Sequence, residues 1–377
     1  MRKVYLDNAA TTPMLCEVVQ AMAENLQNHY GNPSSTHQFG RSSKAVLEGV
    51  RKEIAGYLNV PSSTIIFTSG GTEANNFILK NAVENLGVTH IITSKIEHHA
   101  VLYVAQELAK THDVKLSFVG LDNFGGVDLN DLEKLLAENA DEKTLVSLMM
   151  INNEIGNLLP LEKTSELCQK YGAYFHSDTV QGVGHYDLDL KKIPLDFISA
   201  SAHKFHGPKG VGFIYFKKGT KINPHILGGS QEKGLRAGTE NLSGIVGMGA
   251  ALKICLSNLE EQTTYVQSIK DLCIQKLTEN FEGVKFNGYT DPTKNSPFVL
   301  SVKLPKDLPM LLFQLDMEGV MVSGGSACQS GSGKGSHVID ELPKDESPQT
   351  NIRVSFSKLN SPEDIDALVA ALQKFIN

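Results

Sequence analysis

Apolar positions along this chain follow two periods. From about residue 43 to 216, segments with three- and four-residue spacing alternate with short unbroken apolar runs. That alternation predicts a largely parallel sheet covered by helices. Val46, Leu47, Val50, Ile54, Tyr57 and Leu58 place one stripe of a helix against the core, with Ser42 or Ser43 as its N-cap. TIIFTS from Thr64, HIITS from His90, VKLSFVG from Val114, LVSLMMI from Leu145, YFHSD from Tyr174, DFISAS from Asp196 and VGFIYF from Val211 read as the strands of one large domain. LVSLMMI lacks polar alternation, which predicts a central strand buried on both faces. A proline-free helical stretch from Gly244 to about Phe281 leads into a smaller α+β unit. There VKF at Val284, FVLSVKL at Phe298, VMVS at Val320 and NIRVSF at Asn351 read as strands, with a helix around Leu308–Glu318. The final helix carries Ser361 as N-cap, Pro362 at N1 and Asp364 at N3, with Ile365, Leu368, Val369, Leu372 and Ile376 on one stripe.

Composition narrows the function classes. The 377 residues are 41% hydrophobic and 20% charged, globular proportions that exclude a disordered chain or a disulfide-stapled miniprotein. A net charge of −7 disfavours general affinity for nucleic acid or an anionic membrane. The N-terminus lacks an apolar signal core, and no stretch reaches the roughly 18 apolar residues of a membrane span, so a cytoplasmic address is expected. Cys16, Cys168, Cys255, Cys273 and Cys328 form no C-x-x-C, so reduced thiols are expected rather than disulfides or a zinc knuckle. The first four lie in or beside helical periodic segments and read as buried small hydrophobes. Cys328 differs, because Ser323–Ser336 is nearly all Gly, Ser, Ala and Gln and cannot bury a core.

Several segments have the composition of a reactive site. In TIIFTSGGTEANN a strand turns through Gly70 and Gly71 into a helix at Thr72, which aims free N–H groups and a dipole at a point suited to phosphate. Taken alone, it serves equally well as a plain turn and cap. Neither G-x-G-x-x-G nor G-x-x-x-x-G-K-[ST] occurs, and GSGKGS at Gly331–Ser336 lacks the first glycine and the hydroxyl residue after Lys334, so ATP binding is not supported. Asp178 ends an apolar strand, where an open α/β sheet holds ligands, although it could equally cap the next turn. Ser201, His203 and Lys204 lie between two strands and before a Gly-Pro-Lys-Gly turn. A lysine at such a junction is partly desolvated, which lowers its pKa and makes its amine a usable nucleophile and proton carrier, but a surface lysine also fits. His98, His99, His203 and His206 have no Cys or acidic residue at matching local spacing, so no metal is expected.

The ordered set YLDNAATTP, TSGGTEANN, EHHAV, NNEIG, HSDTVQG, SASAHKFHGPKG, RAGTEN, SGGSACQSG and NIRVSFS resembles the cysteine desulfurases of the NifS/IscS type, within the class V aminotransferase fold group. One departure is Gly324, where the family commonly has serine in Ser-Ser-Gly-Ser-Ala-Cys. The resemblance implies an α/β fold of the type I pyridoxal-phosphate aminotransferases. It has a large domain on a mostly parallel seven-stranded sheet and a smaller α+β domain. It implies an N-terminal segment, 1–15, packing with the small domain, a large domain over 16–255, and a small domain over 256–377 carrying Cys328. Pyridoxal 5′-phosphate is then the cofactor. Lys204 forms its Schiff base; Gly71, Thr72, Ser201 and His203 surround the phosphate, and Thr239 reaches the neighbouring subunit's cofactor in a homodimer. Asp178 pairs with the pyridinium nitrogen, Gln181 with the ring hydroxyl, and His98 stacks on the ring. Asn153 lines the site near the substrate, and Arg353 takes the substrate carboxylate.

The implied reaction converts L-cysteine to L-alanine and leaves the sulfur on Cys328 as a persulfide, for an iron–sulfur scaffold or a sulfur carrier serving tRNA or cofactor thiolation. The alternatives are a selenocysteine lyase or class V aminotransferase, and a non-catalytic sulfur-trafficking scaffold.

Overall fold

The computed structural model describes residues 2–324, 335–344 and 349–376. Its strands are β1 (Val4–Tyr5), β2 (Ile65–Thr68), β3 (His90–Thr93), β4 (Lys115–Phe118), β5 (Thr144–Ser147), β6 (Tyr174–Asp178), β7 (Phe197–Ser201), β8 (Gly212–Phe216), β9 (Lys285–Asn287), β10 (Val299–Lys303), β11 (Val320–Met321) and β12 (Asn351–Ser355). Seven of them form one sheet in the order β2-β8-β7-β6-β5-β3-β4, the expected α/β fold class. Within it β8 alone runs against its neighbours, antiparallel to β2 and β7, and the remaining pairs are parallel. Every residue of β5 is buried, with Leu145 and Val146 entering different apolar clusters. A strand covered on both faces has no reason to alternate with polar residues. The regular strand ends at Ser147, before the end of the apolar run, yet Leu148 and Met150 N–H groups still donate to His176 and Asp178 carbonyls.

Two elements begin or end elsewhere than the sequence pattern suggests. The first long helix spans Gln38–Tyr57, capped by His37, whose Nδ1 accepts from Gly40 N–H at 3.3 Å. Its opening turn is largely exposed and carries no apolar stripe, so periodicity could not mark it. Ser43 is instead interior to the helix, with its hydroxyl donating to the His29 carbonyl. The long helical stretch divides into Leu242–Ser257 and Leu259–Asn280, bent by 78°. Among the described residues no single helix is long and apolar enough to cross a membrane.

A separate apolar cluster gathers Val4 and Leu6 with residues between Val266 and Ile376. It covers an antiparallel sheet in the order β12-β10-β9. β11 lies outside that sheet and pairs in parallel with β1, tying the N-terminal strand to this part of the chain. In the last helix, Pro362–Ile376, the Asp364 carboxylate accepts from Ser361 N–H at 3.1 Å. The Ser361 hydroxyl donates to Glu363. Cys168, Cys255 and Cys273 are buried, but Cys16 is exposed at the first position of its helix, contrary to the expected burial.

Candidate active site

β2 to β7 all point the same way, so their carboxyl ends share one edge of the sheet, the edge where open α/β folds bind ligands. A cavity of about 230 Å³ opens there. Gly71 and Thr72 reach it from the turn after β2, His98 from the loop after β3 and Asn153 from the loop after β5. Asp178 and Gln181 come from the end of β6, and Ser201, His203 and Lys204 from the end of β7. Arg353 enters from β12, far away in sequence. Thr239 is exposed and does not line this cavity. Cys328 and the Gly331–Lys334 stretch lie outside the described residues.

The helix Gly71–Glu84 starts against the cavity with no side chain capping it. Gly70 adopts φ of 149°, a conformation that disfavours any side chain, and a Cβ on Gly71 would meet Val180 Cγ2 at 2.7 Å. Backbone N–H groups are thereby left to face the cavity, beside the Ser201 hydroxyl. Asp178 is nearly buried; its Oδ2 accepts from Asn75 Nδ2 at 2.6 Å and its Oδ1 from Val180 N–H at 3.0 Å. His98 caps the helix His99–Thr111, its Nδ1 accepting from Ala100 N–H at 3.1 Å, so the neutral ring carries its proton on Nε2. Burial, with the nearby Lys204 adding to it, holds His98 below its ordinary range, against the opposing pull of Asp178. Burial and Lys204 likewise push His203 down to about 4.

The N-terminal segment forms a strap across this cavity. Lys204 Nζ donates to the carbonyls of Ala9 at 2.6 Å and Ala10 at 2.9 Å, and Gln181 Nε2 donates to Ala9 at 2.9 Å. Thr12 N–H donates to the His203 carbonyl at 2.9 Å, and His203 Nδ1 shares a 3.2 Å hydrogen bond with Thr11 Oγ1. Arg353 donates through Nη1 to the Asn153 carbonyl at 2.9 Å and through Nη2 to Asp7 Oδ1 at 2.8 Å.

Sequence reasoning assigned no role to Asp7, Ala9, Ala10 or Asn75, although all four stand inside the quoted motifs YLDNAATTP and TSGGTEANN. It also passed over Glu97. That carboxyl is buried behind the site, with Oε1 accepting from Met149 N–H at 2.9 Å. Burial, with the Asp178 charge adding to it, lifts its pKa well above the usual carboxylate range.

Both flanks of the stretch containing Cys328 are docked beside the cavity. Upstream, Ser323 and Arg353 exchange backbone hydrogen bonds of 3.2 and 2.6 Å. Downstream, the Ser336 hydroxyl donates to the Glu154 carboxylate and His337 Nε2–H donates to the Glu97 carbonyl at 2.9 Å. Val338 and Leu342 pack with Ile96 and Ile155.

The donor set suits pyridoxal phosphate. An uncapped helix N-terminus with Ser201 and His203 is matched to a phosphate, the buried Asp178 carboxylate to a protonated ring nitrogen, and the His98 imidazole to an aromatic face. The Asn75 Oδ1 and Arg353 Nε atoms are buried without hydrogen-bond partners among the described residues, so the site's polar groups are not satisfied by the chain alone.

A seven-stranded α/β fold with a lysine, a carboxylate and a helix N-terminus meeting at the strand ends defines an enzyme of the aminotransferase type. The model of the aminotransferase class-V family matches residues 4–368, and the chain belongs to that family. Cysteine desulfurase IscS of Dictyoglomus turgidum is 40% identical over 387 residues, covering 100% of this chain and 95% of that one. A solved NifS-like protein superimposes with a TM-score of 0.90 at 36% identity, covering 99% of both chains. SspA in complex with cysteine superimposes with a TM-score of 0.81 at 27% identity, covering 95% of this chain and 100% of that one. The family resemblance drawn from the motifs is thus borne out over the whole chain.

Proposed function

We propose that this protein is a pyridoxal-phosphate-dependent cysteine desulfurase that converts L-cysteine to L-alanine and retains the sulfur on Cys328. The observation that carries the reading is the convergence of Lys204, Asp178, His98 and Arg353 on one cavity beside an open helix N-terminus, in a chain whose full-length relatives are cysteine desulfurases. When bound, the cofactor supplies an electron sink for the bond pair released at the substrate Cα.

The chain's own residues do the remaining work. Gly71, Thr72, Ser201 and His203 would hold the phosphate, Asp178, its carboxylate fixed by Asn75, would hold the ring nitrogen, and Gln181 would hold the ring hydroxyl. The Lys204 amine, positioned by the Ala9 and Ala10 carbonyls, moves the proton at Cα. Arg353 and Asn153 orient the substrate through its carboxylate.

The sulfur step balances without an added oxidant. The Cβ–Sγ bond of cysteine breaks, Cβ gains a proton, and the Cys328 sulfur bonds to Sγ, giving L-alanine and a persulfide. Cys328 is five positions along the chain from Ser323, whose backbone is paired to Arg353 in the cavity wall, so the covalent tether is at most about 18 Å long. In this reading the protein works as a homodimer in the cytoplasm, with Thr239 completing the partner's phosphate site. It passes sulfur to an iron–sulfur scaffold or a sulfur-carrier protein. Supplying L-cysteine and a thiol reductant should yield L-alanine and sulfide in equal amounts. Cys328→Ser should lose sulfide release while keeping the bound cofactor, and a variant that releases sulfide at the wild-type rate contradicts the assignment.

A further inference from the structure

The N-terminal strap does more than close the cavity. The Tyr5 hydroxyl donates to the carbonyls of Asp7 at 3.1 Å and Thr11 at 2.7 Å, which fixes both ends of the turn. Asn8 Nδ2 donates to the Ser355 carbonyl at 2.9 Å, and Ala9 N–H donates to the Ser355 hydroxyl at 2.9 Å. Asp7 is therefore a rigidly mounted carboxylate next to β12, and it forms the ion pair with Arg353, two residues before Ser355. Arg353 is only 2% exposed yet lines the cavity, and its buried Nε has no hydrogen-bond partner among the described residues.

A buried guanidinium needs an opposite charge, and Asp7 supplies it before any substrate arrives. The same carboxylate repels a second carboxylate brought to Arg353. Substrate and product of the proposed reaction share one α-carboxylate, so an uncompensated Arg353 would grip L-alanine as firmly as L-cysteine and slow its departure.

We propose that Asp7 is a positioning residue that sets the affinity of the site for α-carboxylates: it holds the Arg353 guanidinium in the cavity wall and tempers its charge so that the product leaves. The proposal rests on the reading that Arg353 receives the α-carboxylate.

Asp7→Asn keeps an oxygen acceptor for Nη2 and removes the charge, whereas Asp7→Ala removes both. Binding is read on the cofactor-loaded proteins with L-alanine and with ethylamine, which is alanine without its carboxylate. Asp7→Asn tightens L-alanine by roughly three- to tenfold and lowers the KM for L-cysteine without raising kcat. Asp7→Ala weakens L-alanine several-fold, and the ethylamine affinity is the same in all three proteins, which also reports an intact site in the variants. The proposal is overturned if the two variants shift L-alanine in the same direction, if neither shifts it, or if ethylamine shifts as much. A wild-type protein that binds L-alanine no better than ethylamine overturns the carboxylate role of Arg353 itself, and the Asp7 role with it.

Discussion

Asn75 shows what a single side chain contributes to the site. It is 1% exposed, and its amide holds one oxygen of Asp178, the carboxylate proposed to face the cofactor ring nitrogen. Deleting a hydrogen bond to a buried charge costs about 1.5–3 kcal/mol. Asn75→Ala is therefore expected to raise the pyridoxal-phosphate dissociation constant by roughly ten- to a hundredfold, measured by titrating the stripped protein and following absorbance. An unchanged constant would remove Asn75 from the site's support. Residues whose chemistry is reactive in itself, such as Lys204, Asp178 and His98, were legible because strand ends, glycine turns and family motifs singled them out. Asn75 and Asp7 were not, since an asparagine in a polar helical turn and an aspartate near a terminus read as surface residues until the fold buries their partners. Ala9 and Ala10 act through carbonyl oxygens, which carry no side-chain signal at all.

At the scale of elements, strands were easier to read than helix ends. Each of the runs from TIIFTS to VGFIYF holds a strand of the large sheet; LVSLMMI reads most plainly because β5 is buried on both faces, whereas β4 at the sheet edge carries the exposed Lys115. The Gln38–Tyr57 helix begins in a polar turn, so its start was not visible locally; VMVS was read as a strand, but its pairing with β1, a partner more than three hundred residues away, was not. The loop Gln231–Gly234 offers an element-level test. Glu232 and Lys233 both adopt left-handed backbone angles, with φ of 44° and 61°, and the loop is pinned by Glu232. The Glu232 carboxylate takes two 2.7 Å bonds from the buried Arg51 and a third from Phe67 N–H at 2.8 Å. Removing one member of a buried pair leaves the other uncompensated, at about 3–5 kcal/mol. Glu232→Gln should lower unfolding stability by that order in denaturant titration, and a loss under about 1 kcal/mol would show that the pair is not what secures the loop.

Taken whole, the molecule buries several neutral histidines. Burial pushes His176 to about 3 and His90 and His185 to about 4, from an ordinary 6.5. Folded values below the unfolded one mean that the unfolded chain binds more protons between about pH 4 and 6.5, so stability rises with pH across that window and falls on acidification. Melting temperature should drop steeply from pH 6.5 to 4, and His185→Gln should flatten the drop; equal slopes in the two proteins would count against buried histidine as the cause.

The change in pattern near Gly244 predicts a smaller second unit and the family resemblance places Arg353 in the site, but the crossing of the chain that lays the N-terminal strap against Lys204 and Arg353 had no local signal, because it depends on contacts between the chain's extremes. That crossing serves one claim, that Lys204 is where the cofactor is held. Reducing the cofactor-loaded protein with borohydride and mapping its peptides tests the claim directly. The account predicts the pyridoxyl mass on the peptide containing Lys204; finding it on another lysine, or on none, would contradict it.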